Sequence, residues 1–133
     1  MNKAIEQFYK AFNSKDMKLM QDNWLASEDI IMNNPLGGIK TGWSEISEVY
    51  KRIFLDKVDI QLEFYDYHIH DMDGGFYVVG RERGKISLGD KSLDLKIRTS
   101  RIFKLVEDEY KQVHHHGSIE NPQLLEQYQN LLK

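Results

Sequence analysis

The chain has 133 residues, enough for one domain with a real core, and its 41% apolar and 11% aromatic content fits a globular protein. A net charge of −3, with no basic run, argues against nucleic acid or a membrane surface as partner. The lack of cysteine excludes disulfides, thiolate catalysis and Cys-based zinc sites together.

No segment approaches the roughly 20 apolar residues of a membrane span, and MNKAIEQFYK has no signal-peptide core. Cytoplasm is the default expectation. Ile5, Phe8, Tyr9 and Phe12 recur at helical spacing and form a one-sided stripe. Asn13-Ser14-Lys15-Asp16 breaks it, with Ser14 or Asp16 able to cap a second helix carrying Met17, Met20 and Trp24 inward. A short apolar strand, Ile30-Ile31-Met32, runs into the turn Asn33-Asn34-Pro35-Leu36-Gly37-Gly38. Ser44 is placed to cap a third helix with the stripe Ile46, Val49, Tyr50, Ile53 and Phe54.

From Val58 the period changes to two, with Val58, Ile60, Leu62 and Phe64 on one face. Asp73-Gly74-Gly75 reads as a hairpin turn, Phe76 to Leu88 as the next strand, and Leu88-Gly89-Asp90-Lys91 as the following turn. Ser92 to Ile119 then gives two strands joined at Glu107-Asp108-Glu109. In the first of these, Leu93, Leu95, Ile97, Thr99, Arg101, Phe103 and Leu105 share a face, so Arg101 interrupts an apolar row. A guanidinium there is costly unless it is paired or faces a wet cavity, which points to a pocket. Arg98, Tyr110, Gln112, His114 and His116 are expected on the opposite, outer face, and His115 on the inner one beside Arg101. Asn121-Pro122 starts a last short helix. No linker or repeat divides the chain, so residues 1–133 read as one domain. Helices first and a meander afterwards imply an α+β fold in which N-terminal helices pack in the concave face of a curved antiparallel sheet.

Taken in order, Phe12-Asn13-Ser14-Lys15-Asp16, Asn34-Pro35-Leu36-Gly37, Thr99-Ser100-Arg101-Ile102-Phe103 and Tyr110 through Ser118 resemble the nuclear transport factor 2-like superfamily. That group includes SnoaL-like cyclases, ketosteroid isomerases and the association domain of calcium/calmodulin-dependent protein kinase II. The resemblance implies a cone-shaped, cystatin-like α+β barrel, usually a homodimer through the outer sheet face, with a pocket between helices and sheet. It does not imply one reaction. The aspartate base of the isomerases falls on Asn34, which cannot accept a proton as a carboxylate does, and their oxyanion tyrosine falls on Phe8. Tyr9 is the neighbouring hydroxyl, about 100° around the helix. No ketosteroid isomerisation is therefore expected. The association domain's pocket arginines fall on Arg101 and Arg81, a third falls on Gly117, and its histidines match His68, His70, His114 and His116. Its pocket binds small carboxylates.

The residues alone leave the register at Gly89-Asp90 open. A two-residue loop places Val78 opposite Arg101 with Glu82 on its face, whereas a three-residue loop places Arg81 there. The resemblance favours Arg81. The ligand-binding candidates are thus Arg101, Arg81, Asn34, Tyr9 and Trp43, with His115 as candidate acid or base. The expected ligand is a small anionic or carbonyl-bearing, partly apolar molecule, with no cofactor and no metal. The alternatives are a cofactor-independent isomerase, dehydratase or cyclase using His115, and a dimerisation module with Arg101 locked to an internal acid.

Overall fold

In the computed structural model, which describes residues 2–132, helix α1 (Lys3–Ser14) is capped by Asn2, whose side chain accepts from the amides of Ala4 (2.8 Å) and Ile5 (3.4 Å). Its stripe of Ile5, Phe8, Tyr9 and Phe12 is buried. Asp16 caps α2 (Met17–Asn23) through the Leu19 amide. Helix α3 (Gly42–Ile53) starts two residues before the expected Ser44 cap. There the Glu45 carboxylate accepts from the N-cap Thr41 amide at 2.9 Å and satisfies a donor at the helix start. Asn121 caps α4 (Pro122–Leu131) as its sequence suggests, accepting from Gln123 and Leu124.

Four long strands form the meander: β3 (Val58–Met72), β4 (Gly75–Leu88), β5 (Lys91–Val106) and β6 (Glu109–Ser118). Two short strands, β1 (Ile31–Asn33) and β2 (Lys40–Thr41), extend it to the order β2-β1-β6-β5-β4-β3. Here β1 runs parallel to β6, pairing Met32 with His115, so the sheet is mixed. It curls around the helices but stays open, with β2 and β3 as its edges. The fold is thus α+β and cystatin-like without a closed barrel. Curling brings backbones close: a Cβ on Gly84 would lie 1.8 Å from the Gln61 carbonyl oxygen of β3, so only glycine fits.

Two registers decide which side chains face the helices. Leu88 pairs with Lys91 across a two-residue turn, so Val78 lies opposite Arg101 and Glu82 shares its face. Arg81 pairs with Arg98 on the other face, a correction to its expected inward position. The second register carries a bulge: Ile102 pairs with His114 but Phe103 with Gln112, which leaves Val113 as an extra residue. The bulge reverses the alternation before Val113. Gln112 is therefore fully buried rather than on the outer face, and Tyr110 turns to Phe76, ring centroids 5.0 Å apart.

Candidate functional site: a buried polar cluster in the cone

Arg101 comes from β5, Glu82 from β4, Gln112 and His115 from β6, Tyr9 from α1, Asn23 from α2 and Tyr50 from α3. All are at most 8% exposed, in a wall otherwise built from Phe8, Met32, Val78 and Phe103. The guanidinium of Arg101 donates from Nη2 to Glu82 Oε2 at 3.1 Å and from Nη1 to Gln112 Oε1 at 2.7 Å. Its flat face lies 3.6 Å from the centroid of Phe8, a cation–π contact. The Tyr9 hydroxyl donates to the same Glu82 oxygen. Gln112 donates onward to Asn23 at 2.9 Å, and Asn23 donates to the Ala4 carbonyl (2.8 Å) and to Gln7 (3.0 Å). A chain of polar side chains from two helices and two strands thus fixes the guanidinium.

Burial opposes the charge on Arg101, but Tyr9, Glu82 and Tyr50 outweigh it and hold its pKa above the ordinary value. Burial, then Glu82, push the Tyr9 phenol well up. Burial also dominates at Tyr50, pushing it up to about 12 although Arg101 and the Trp24 indole beside it favour the phenolate. At His115 the causes align: burial first, then Arg101 and the two flanking histidines, drive its pKa well below the usual imidazole value. His115 is neutral, and its Nε2 meets Thr99 Oγ1 at 3.1 Å.

Among the described residues, four side-chain atoms of this interior have no hydrogen-bond partner: Arg101 Nε, Trp24 Nε1, the Tyr50 hydroxyl and His115 Nδ1. Trp24 and Tyr50 are neighbours, ring centroids 6.4 Å apart, and Tyr50 lies 6.3 Å from the Phe8 ring that carries the guanidinium. Buried donors without acceptors are rare in native proteins, and the Tyr50 hydroxyl, which can itself accept, lies close to both the Trp24 indole and Arg101.

The sequence pattern of the SnoaL-like domain matches residues 1–122. The chain belongs to the SnoaL-like family. Among solved structures it is similar to a candidate dehydratase of the nuclear transport factor 2-like family from Streptomyces avermitilis, with a TM-score of 0.79 at 20% identity over 89% of this chain and 93% of that one. It is also similar to a candidate calcium/calmodulin-dependent protein kinase type II association domain from Thiobacillus denitrificans, at TM-score 0.68 and 18% identity over 89% and 93%. A third similar structure, of an uncharacterised protein from Caulobacter vibrioides, is described as a cystatin-like fold, at TM-score 0.74 and 16% identity over 93% and 89%. At these identities the likeness is one of fold. A search of functionally curated proteins finds no match.

Within this SnoaL-like domain the expected residues separate. Arg101, Tyr9 and His115 meet in the interior. Arg81 lies on the far face, exposed, in an ion pair with Glu120 at 2.8 Å. Asn34 uses its side-chain oxygen to accept from the Leu36 amide at 3.0 Å, pinning its own turn, and lines a crevice of about 450 Å³ between α3 and α4. Trp43 packs against the apolar core from the first turn of α3. Sequence reasoning gave Trp24 and Tyr50 to the core and Gln112 to the surface. The one signal for the first two was the polar tip that Trp and Tyr carry, which must find a partner when buried. Among the described residues no three His, Asp or Glu side chains gather as a metal site, and no helix is long and apolar enough to cross a membrane.

Proposed function

We propose that the chain is a small-molecule-binding SnoaL-like domain whose interior takes a small, neutral, partly apolar ligand through a carbonyl or hydroxyl oxygen. The observation that carries this is the group of unpartnered donors at Arg101 Nε, Trp24 Nε1 and Tyr50. Arg101 is already neutralised by Glu82, so a second buried carboxylate would meet no net positive charge and would repel the first. An uncharged acceptor satisfies the donors without that cost. The Arg101–Glu82 pair is also what a purely structural module requires; in that module Trp24 and Arg101 would donate to the Tyr50 oxygen, which leaves the Tyr50 proton without an acceptor. The test is a set of thermal melts with cyclic ketones, matched hydrocarbons and matched carboxylates. Ketones should raise the melting point and the others should not; equal shifts for ketone and hydrocarbon would defeat the reading.

A second reading, a cofactor-independent isomerase, dehydratase or cyclase, rests on His115, whose Nδ1 is free beside Arg101. Its depressed basicity makes it a weak proton acceptor, so binding is the better-supported function. The outer sheet face supports pairing with a second copy of the chain. There Tyr77, Ile102, His114 and Ile31 lie in one row and Val79, Ser100 and His116 in the next. Aromatic, aliphatic and histidine side chains on a flat sheet suit a symmetric interface.

A further inference from the structure

A second crevice, of about 390 Å³, lies where α4 and its lead-in meet β4 and β5. Gln123, Leu124 and Gln127 of α4 form one side of it. Arg81 and Arg98 face each other directly across β4 and β5, an arrangement that repels unless an anion stands between them. Glu120 stands there, 2.8 Å from Arg81 and 3.8 Å from Arg98. The Arg81 hydrogen bond, with help from Arg98, holds the Glu120 carboxyl below its ordinary pKa. Lys96, also lining the crevice, makes no ion pair among the described residues, and Asp94 leans toward Lys85 at 3.9 Å. Two cations, Arg81 and Arg98, therefore share one carboxylate, with Lys96 unpaired nearby. Glu120 belongs to neither β6 nor α4, and its side chain is half exposed, so it can swing aside without breaking either element. Inside the charged rim Leu124 supplies the apolar wall, and Glu82 at the inner end, paired across the strands with the buried Ile97, is already bonded to Arg101.

We propose that this crevice is a binding site for a small organic carboxylate with an apolar stem, whose head group replaces Glu120 at Arg81, within reach of Arg98, while its stem lies on Leu124. Glu120 is then an internal competitor that keeps the site weak until ligand is abundant. The site meets the interior cluster only at Glu82 and takes an anion rather than a neutral ligand, so either assignment can fail without the other.

Titration calorimetry with hexanoate, against acetate and inorganic phosphate, tests it. Hexanoate should bind the wild type, bind Glu120→Gln about tenfold more tightly because the competing charge is gone, and lose at least tenfold with Arg81→Ala. Circular dichroism melts of both variants should match the wild type, since both side chains are exposed. Hexanoate binding that is unchanged in Arg81→Ala, or absent from both wild type and Glu120→Gln, would overturn the proposal. Phosphate binding as well as hexanoate would overturn the carboxylate assignment and reduce the crevice to a cationic patch, and acetate binding as well as hexanoate would overturn the role of the apolar stem.

Discussion

Replacing Arg101 with leucine separates the energetic roles of the buried cluster. The guanidinium is 1% exposed and satisfies Glu82 and Gln112 at once, while stacking on Phe8. Leucine keeps the apolar contact but leaves the Glu82 carboxylate buried with Tyr9 as its remaining side-chain donor. Removing one partner of a buried pair costs about 3–5 kcal/mol, a large share of the ~5–15 kcal/mol that holds a domain together. Most of that cost is the stranded carboxylate rather than the lost attraction. The double variant Arg101→Leu/Glu82→Leu should therefore recover nearly all of it, ending within about 1–2 kcal/mol of wild type or above it. Urea unfolding of the four proteins of this cycle, monitored by tryptophan fluorescence, gives each free energy. A single Arg101→Leu variant within about 1 kcal/mol of wild type would refute the reasoning, because it would mean that the pair is wet and weakly coupled.

Tyr50→Phe removes a buried hydroxyl with no partner, so the ligand-free protein should lose no stability, while the ketone-induced rise in melting point should disappear. His115 is held neutral with a folded pKa well below the unfolded value near 6.5. Protons then bind the unfolded chain first, so its contribution is intact above pH ~6.5 and falls by about 1.4 kcal/mol per pH unit below it, down to the folded pKa. Wild type minus His115→Gln, compared across acid unfolding curves, should show that slope. Gly84→Ala drives a methyl into the Gln61 carbonyl and should cost more than about 2 kcal/mol in the same urea assay. Light scattering at micromolar concentration should show a dimer, and Ile102→Glu on the outer face should return it to monomer. An absorbance assay with a β,γ-unsaturated ketosteroid should show no turnover above buffer, because Asn34 is tied to its turn and Phe8, lying under the Arg101 guanidinium, has no hydroxyl.

Arg101 was legible in the sequence because it breaks an otherwise apolar alternation, and His115 because its parity follows Ile119. Glu82 was legible only as one of two registers. The short turn at Gly89-Asp90 selects it, whereas likeness to an arginine-lined pocket pointed to Arg81. Gln112 was hidden by the bulge at Val113, since one extra residue reverses the face of every residue before it and leaves no mark in composition. Trp24 and Tyr50 sit on regular apolar stripes, where a polar tip looks no different from a core ring. The parallel pairing of β1 with β6 was out of reach, because three residues carry too little pattern to choose a partner.

The central claim is that an uncharged oxygen of a bound molecule sits among Arg101, Trp24 and Tyr50. An atomic-resolution crystal structure of protein purified without added ligand, or soaked with a cyclic ketone, tests it most directly. The account predicts density for a carbon-bearing ligand whose oxygen lies within about 3.2 Å of Arg101 Nε, Trp24 Nε1 and the Tyr50 hydroxyl. A lone ordered water in both crystals, or side chains repacked so that these donors bond to one another, would contradict it.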